Sequence, residues 1–303
     1  MTDRTSTILA IVGPTASGKT SLGLRAAALL GGEIVSADSR LVYRGMDIGT
    51  AKPTAAQRRA VPHHVIDVAD PGERYDAARY QRDARAAIAD IELRGRVPVV
   101  VGGTGLYVRT LLDGLALDAM PTDSALRVEL EARVRERGGG ALHRELASID
   151  AAAAARVDPR NVRRVVRYLE IALLGGSAGA PRTRRGGRDA VRIGLCPPRA
   201  PLVAAIDARA RGMVQAGVLE ETAALVARGL DPRLPSMSAH GYVHWAAHLR
   251  GQMTLADAIA ATARDTAAYA RRQMTWFRRD PAVWWVDPTV ADPLERIREA
   301  LAA

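Results

Sequence analysis

The 303-residue sequence is nearly devoid of cysteine and lysine, and it contains no long apolar run. Its one cysteine, Cys196, excludes an internal disulfide and any cysteine-cluster metal site. No apolar stretch reaches the roughly 18 residues that a membrane-spanning helix needs. The stretch "ILAIV" near the N-terminus is too short for a secretory signal and runs straight into a glycine-rich loop. A cytoplasmic protein with no membrane partner is therefore expected. Acids are scarce relative to bases: 33 Asp and Glu face 43 Lys and Arg, for a net charge of +10. A bias toward Ala, Arg and Gly could produce that total by itself, but a basic chain of this size also suits a polyanion such as nucleic acid.

The scarcity of lysine makes the two that exist informative. All basic residues except Lys19 and Lys52 are arginine. Lys19 stands where a side chain must enter a phosphate cage, and a compact ammonium fits between backbone N–H groups where a planar guanidinium does not. The rest of the composition, 48% hydrophobic and 25% charged, is that of a folded globular chain.

Continuous apolar runs at 7–12, 33–38, 63–68 and 97–103, separated by helical spacing, predict a parallel sheet covered on both faces. From about Leu117 the pattern becomes helical, through residue 175, and "GGSAGAPRTRRGGR" (175–188) reads as a mobile, glycine-rich connection. Strand character returns in "AVRIGLCPP" and "AVWWVD", with long helices at 199–228 and 254–279. The expected architecture is an α/β core of residues 1–116 and 189–303, interrupted by a helical insertion at 117–188. The core resembles a P-loop NTPase-like parallel sheet flanked by helices.

Gly13, Pro14, Thr15, Ala16, Ser17, Gly18, Lys19 and Thr20 spell the full phosphate-loop pattern between a strand and a helix. Glycines let backbone N–H groups turn inward, and the helix N-terminus adds partial positive charge. Lys19 would neutralise a diphosphate, and the Thr20 hydroxyl would hold Mg²⁺. The loop alone leaves the ligand open, with ATP the usual one. A P-loop ATPase also wants a carboxylate at a neighbouring strand end, yet the run ending at Val101 continues "GGTGLY". The acid comes instead at Asp38, after "EIVSA". By itself Asp38 is also compatible with a helix or loop cap.

In "RNVRRVVRYLEIAL", Arg160, Arg163, Arg164 and Arg167 fall at i, i+3, i+4 and i+7, while Val162, Val165, Val166 and Leu169 share the opposite face. Such a helix buries its valines and presents an arginine ridge, with no acid in the stripe, to phosphates. Trp276 and Phe277, among Arg271, Arg272, Arg278 and Arg279, read as core rather than as platforms for stacked bases. His240, His244 and His248 are spaced at i, i+4 and i+8 but lack carboxylate partners at ligand spacing, which argues against a metal.

"GPTASGKTSL", "SADSRLVYRGMDIGTAKP", "PHHVIDVADP", "VVVGGTGLYVRTLLDGL" and "YARRQMTWFRRD", in this order, resemble the bacterial tRNA dimethylallyltransferases, also called tRNA isopentenyltransferases. The resemblance runs from about residue 8 to 285. It implies an enzyme that transfers the dimethylallyl group of dimethylallyl diphosphate to N6 of the adenosine beside the anticodon of tRNA. The phosphate loop would grip the diphosphate with Mg²⁺, and Asp38 would take the amine proton. Ser39, Arg40 and Leu41 would touch the adenosine, and Thr104 would lie between tRNA and diphosphate. Arg127 would share the catalytic and tRNA contacts, Arg209 would face the diphosphate, and Arg163, Arg164, Val165, Val166 and Arg167 would meet the tRNA. Read as residues alone, Arg127 and Arg209 are equally compatible with solvated helix arginines. The chain departs from the family pattern at Leu41, where glutamine is common, and at Ser238 and Val243, where bases are common. A monomer is expected. An adenylate isopentenyltransferase, a small-molecule kinase and a non-catalytic RNA-binding NTPase are the alternatives. The arginine ridge favours tRNA, because a mononucleotide needs no such surface.

Overall fold

The computed structural model describes residues 7–115, 120–178, 186–231, 234, 236–237 and 241–302. The chain divides into two compact units: Met1–Gly114 with Gly187–Ala303, and Leu115–Gly186. The junction residues 116–119, most of the glycine-rich connection (179–185), Ser238 and His240 lie outside the described residues.

The first unit is built on six parallel strands: β1 (Ile8–Val12), β2 (Glu33–Ser36), β3 (His63–His64), β4 (Pro98–Gly102), β5 (Ala190–Leu195) and β6 (Val283–Val286), in the order β3-β2-β4-β1-β5-β6. The central strands are apolar throughout because both faces are covered. Ile8, Ala10 and Val12 of β1 pack on one side, and Leu9 and Ile11 on the other. On the Leu9 side lie α1 (Lys19–Leu30) and α13 (Pro293–Ala302). On the Ile8 side lie α3 (Ala77–Leu93) and α4 (Gly105–Leu112). The short α2 (Ala55–Ala60) precedes β3 and starts with a capping box, Thr54 with Gln57.

"HHVIDV" pairs over only His63–His64. Val65 and Asp67 take positive φ values of 60° and 57°, which no ladder accepts, so the segment arches away from β2. The predicted 199–228 helix is two helices, α9 (Arg199–Gln215) and α10 (Val218–Ala227), divided at Gly217 with φ 97°. Then come α11 (Tyr242–Leu249) and α12 (Leu255–Phe277), with α12 packing on α9, α11 and α4.

The second unit is helical: α5 (Ser124–Arg137), α6 (Gly139–Ile149), α7 (Ala151–Ala154) and α8 (Val162–Leu173). Its core gathers Leu130, Leu142, Leu146, Val157, Val165 and Leu169. Asp123, Asp150 and Asn161 cap its helices by accepting first-turn N–H groups.

Candidate active site

The sheet order turns at β1, whose neighbours are β4 and β5. Parallel sheets open a crevice at the carboxyl ends of such strands. There the Gly13–Thr20 loop leaves β1 and enters α1. Gly18 caps the helix with φ 91°, a conformation glycine adopts without strain, so the first-turn N–H groups of α1 lie beside the loop. The Lys19 Nζ donates to Pro14 O at 2.5 Å. A cavity of about 290 Å³ opens on this loop. Its walls include Lys19, Thr20, Asp38, Leu41 and Arg209, with Ile66 and Val101 as apolar lining.

Asp38 sits two residues beyond β2, and its Oδ1 accepts the Arg40 N–H at 2.8 Å, which fixes the carboxylate at the start of the loop. Burial pushes the Lys19 ammonium down to about 8. The Asp38 carboxylate opposes that shift and the Arg209 charge adds to it. Arg209, from α9, reaches the loop through a Nη1 bond to Thr15 Oγ1 at 3.3 Å. Its pKa is also lowered by burial, with Asp38 again opposing. Two cations and one carboxylate thus line a single cavity, where a polyanion would find charge of the right sign already desolvated. Ser17 Oγ and Ser36 Oγ, both buried on residues that line the cavity, have no hydrogen-bond partner.

Thr104 begins α4, and its Oγ1 accepts the Ser39 N–H at 3.0 Å, while its own N–H donates to Ala37 O at 3.1 Å. It therefore holds the backbone on both sides of Asp38. Leu41 lines the cavity as an apolar contact. Residues of the Gly13–Thr20 loop, Asp38, Ser39, Leu41, Thr104 and Arg209 are thus brought together within one unit.

The second unit holds the other expected residues. Arg127, expected to share the catalytic and tRNA contacts, is buried inside the helical unit, where Nε and Nη2 each bond Glu170 at 2.7 Å and Nη2 also meets Thr122 Oγ1. Burial pushes the Glu170 carboxyl up, but the Asp123 N–H and the Arg127 and Arg167 guanidinium groups outweigh it, so the carboxyl lies below its ordinary range. Val165 and Val166 were expected in the tRNA contact, yet their side chains are in the unit's core at 0% and 3% exposure, because the apolar face of α8 must be covered.

The ridge is less uniform than its spacing suggested. Arg167 is turned to Glu170 and Pro121 O, each at 2.9 Å, and Arg160 is paired with Asp158 at 2.8 Å. Arg164 lies over the Tyr168 ring and donates to its hydroxyl at 2.8 Å. Arg163 and Arg164 are exposed.

Several residues that shape the site were given no role there by the sequence. Lys52, buried, bonds Tyr43 O, Asp47 and Asp67, and so ties the 43–53 loop to the arch after β3. The Glu221 carboxylate accepts three successive N–H groups, from Asp47, Ile48 and Gly49, and the Tyr242 hydroxyl at 2.6 Å. Tyr269 and Gln273 of α12 reach the loops that carry Thr15 and Thr104. Burial, reinforced by the Asp38 carboxylate, pushes the Tyr269 phenol up to about 12. Only the family string "YARRQMTWFRRD" could have pointed to these two. Phe277 is core, as expected, whereas Trp276 is half-exposed against Gly105. His244 pairs with Asp265 and His248 with Met253 O. Among the described residues no group of three His, Cys, Asp or Glu is placed to hold a metal, and no helix is long and apolar enough to cross a membrane.

The family model described as IPP transferase matches residues 41–280. A tRNA dimethylallyltransferase of Anaeromyxobacter dehalogenans is 51% identical over 93% of this chain and 95% of its own length. One from Thermomicrobium roseum is 48% identical over 96% of this chain and 89% of its own. The crystal structure of a full-length tRNA isopentenylpyrophosphate transferase from Bacillus halodurans superposes with a TM-score of 0.72 at 41% identity, covering 98% of this chain and 97% of that one.

Proposed function

The chain belongs to the IPP transferase family, and from that premise we propose that it is a tRNA dimethylallyltransferase. It moves the five-carbon group of dimethylallyl diphosphate to N6 of the adenosine next to the anticodon. The observation that carries this reading is the single cavity that has the Gly13–Thr20 loop and the Asp38 carboxylate among its walls, with apolar lining from Leu41, Ile66 and Val101.

The loop acts as a clamp on a leaving group. Its amides, the Lys19 ammonium and the Arg209 guanidinium hold the diphosphate and stabilise charge that grows on its oxygen as the C–O bond breaks. Mg²⁺ is held chiefly by substrate phosphate oxygens and water, with one or two protein oxygens. The Thr20 hydroxyl on the cavity wall and the unpartnered Ser17 hydroxyl beside it suit a polyanion accompanied by such an ion. Thr20 would be its protein ligand, and when bound it would offset the charge on the departing diphosphate. On the other side the N6 amine forms the new C–N bond, and Asp38 accepts the proton it loses. No phosphoryl group moves, which accounts for a phosphate loop without a strand-end carboxylate on β4. An adenosine must leave its stack to enter such a cavity, and exposed Arg163 and Arg164 supply phosphate contacts of the helical unit. The same reading includes a monomer working in the cytoplasm, where tRNA is.

The test is direct. Incubation with unmodified tRNA, Mg²⁺ and labelled dimethylallyl diphosphate, followed by digestion, should yield N6-prenylated adenosine. Asp38→Ala should abolish the label while leaving binding of inorganic diphosphate in place. ATP hydrolysis without label transfer would overturn the reading.

A further inference from the structure

Three side chains on one face of α12 meet the loop after β4 residue by residue. Gln273 is buried at 4% exposure. Its Oε1 accepts the Thr15 N–H at 2.8 Å, and its Nε2 donates to Gly103 O at 2.9 Å. Tyr269, one turn earlier, hydrogen-bonds both Thr104 and Gln273. Trp276 covers Gly105 so closely that a Cβ there would lie 1.9 Å from its ring. A Cβ on Gly103 would lie 2.1 Å from the Gln273 amide nitrogen, so glycine is needed for this approach.

The two segments that Gln273 joins are those that carry the two reacting partners. Thr15 belongs to the loop that would grip the diphosphate. Gly103 leads into Thr104, whose hydroxyl accepts the Ser39 N–H next to Asp38. A continuous path therefore runs from the diphosphate loop through Gln273, Tyr269 and Thr104 to the backbone of the base. The Thr15 N–H, an amide that a bare phosphate loop would leave free for its ligand, is committed to this path instead.

We propose that Gln273 is a positioning residue that sets the spacing between the diphosphate loop and Asp38. The inference rests on the prenyl-transfer reading above. Transfer needs nucleophile, allylic carbon and leaving oxygen nearly in line, and a misplacement of about 1 Å costs on the order of a hundredfold in rate. Binding of diphosphate alone makes no such demand, because it needs only the loop. The role therefore separates kcat from donor affinity, which a merely stabilising contact does not do.

The experiment measures kcat, KM for dimethylallyl diphosphate at saturating tRNA, the Kd of inorganic diphosphate by calorimetry, and Tm. The variants are Gln273→Met, Gln273→Glu and Tyr269→Phe. Gln273→Met keeps the volume and loses both bonds, so kcat should fall between about tenfold and a hundredfold, with KM and diphosphate Kd within about threefold of wild type. Gln273→Glu keeps the acceptor for Thr15 and loses the donor to Gly103, so its kcat should lie between the two. Tyr269→Phe removes one hydroxyl and serves if Gln273→Met does not fold. It should lower kcat by about three- to tenfold at unchanged KM. A folded Gln273→Met enzyme with wild-type kcat, or a loss in kcat matched by equal losses in diphosphate affinity and Tm, would overturn the proposal. So would a wild-type kcat in Tyr269→Phe. A wild-type chain that labels no tRNA would instead refute the prenyl-transfer reading itself.

Discussion

Arg127 is the residue on which motif and geometry disagree most, and the disagreement can be resolved by a double-mutant cycle. The motif makes it a contact of tRNA; the structure closes its guanidinium on Glu170, whose side chain is fully buried. Arg127→Met leaves that carboxylate with Arg167 and the Asp123 N–H but without its bidentate partner. Breaking a buried pair from one side costs about 3–5 kcal/mol, because the remaining charge is stranded. The helical unit spans Leu115–Gly186, and a unit of that size carries on the order of 4–10 kcal/mol of stability in all. The single substitution therefore removes a large part of what holds the unit together, whatever the arginine does in catalysis.

Arg127→Met combined with Glu170→Leu removes both charges and refills the volume. Replacements of this kind are commonly neutral or stabilising. Arg167, about a third exposed, can turn to water once Glu170 is gone. The double variant should regain most of the lost stability in urea unfolding followed by circular dichroism. If Arg127 acts only by holding the unit, prenyl transfer to tRNA should return with it, to within about threefold of wild type. A double variant with restored unfolding free energy whose transfer stays as low as that of the single variant would refute the structural account and return Arg127 to the tRNA.

The ridge and the edge of the sheet give two further expectations. Arg163→Ala with Arg164→Ala should weaken tRNA binding and reduce the slope of log K against log salt by about 1–2, whereas a parallel Arg160→Ala should change it little, since Asp158 already neutralises that charge; filter binding between about 50 and 200 mM salt reads both. Glu33 is held down from its ordinary 4.5 to about 2, by the bond from Arg94 first, with burial opposing and His64 assisting. A depressed carboxyl stabilises the fold above its unfolded pKa and loses that contribution as pH falls from about 4.5 toward 2. Discounted because Arg94 is 42% exposed, the contribution is about 1–2 kcal/mol. Glu33→Gln should therefore lower Tm at pH 7 and leave it nearly unchanged at pH 2, and an equal loss at both would refute the assignment.

What could be read in advance depended on how far apart in sequence the interacting groups lie. The strands of the sheet core were legible because a strand buried on both faces must be an unbroken apolar run, as "ILAIV" and "PVVV" are. The turn from β1 into α1 was legible because its spacing is local, and the place of Asp38 just beyond β2 because it follows an apolar run. β3 was over-read because nothing in "HHVIDV" announces the positive φ of Val65 and Asp67; Asp67 is bonded there by Lys52, 15 positions away, by Arg58 and by the Leu41 carbonyl, none of which lies in the segment. Gln273 reaches Thr15 across 258 positions, and Glu221 reaches Ile48 across 173. No window of sequence contains both partners of either bond. The stripe on α8 shows a different limit: its spacing located the arginines, yet Glu170, three residues on in the same helix, captures Arg167, and Asp158 captures Arg160. Side-chain periodicity assigns faces, but which charges on a face remain available to RNA is decided by the acids beside them, even when those acids lie only a few residues away.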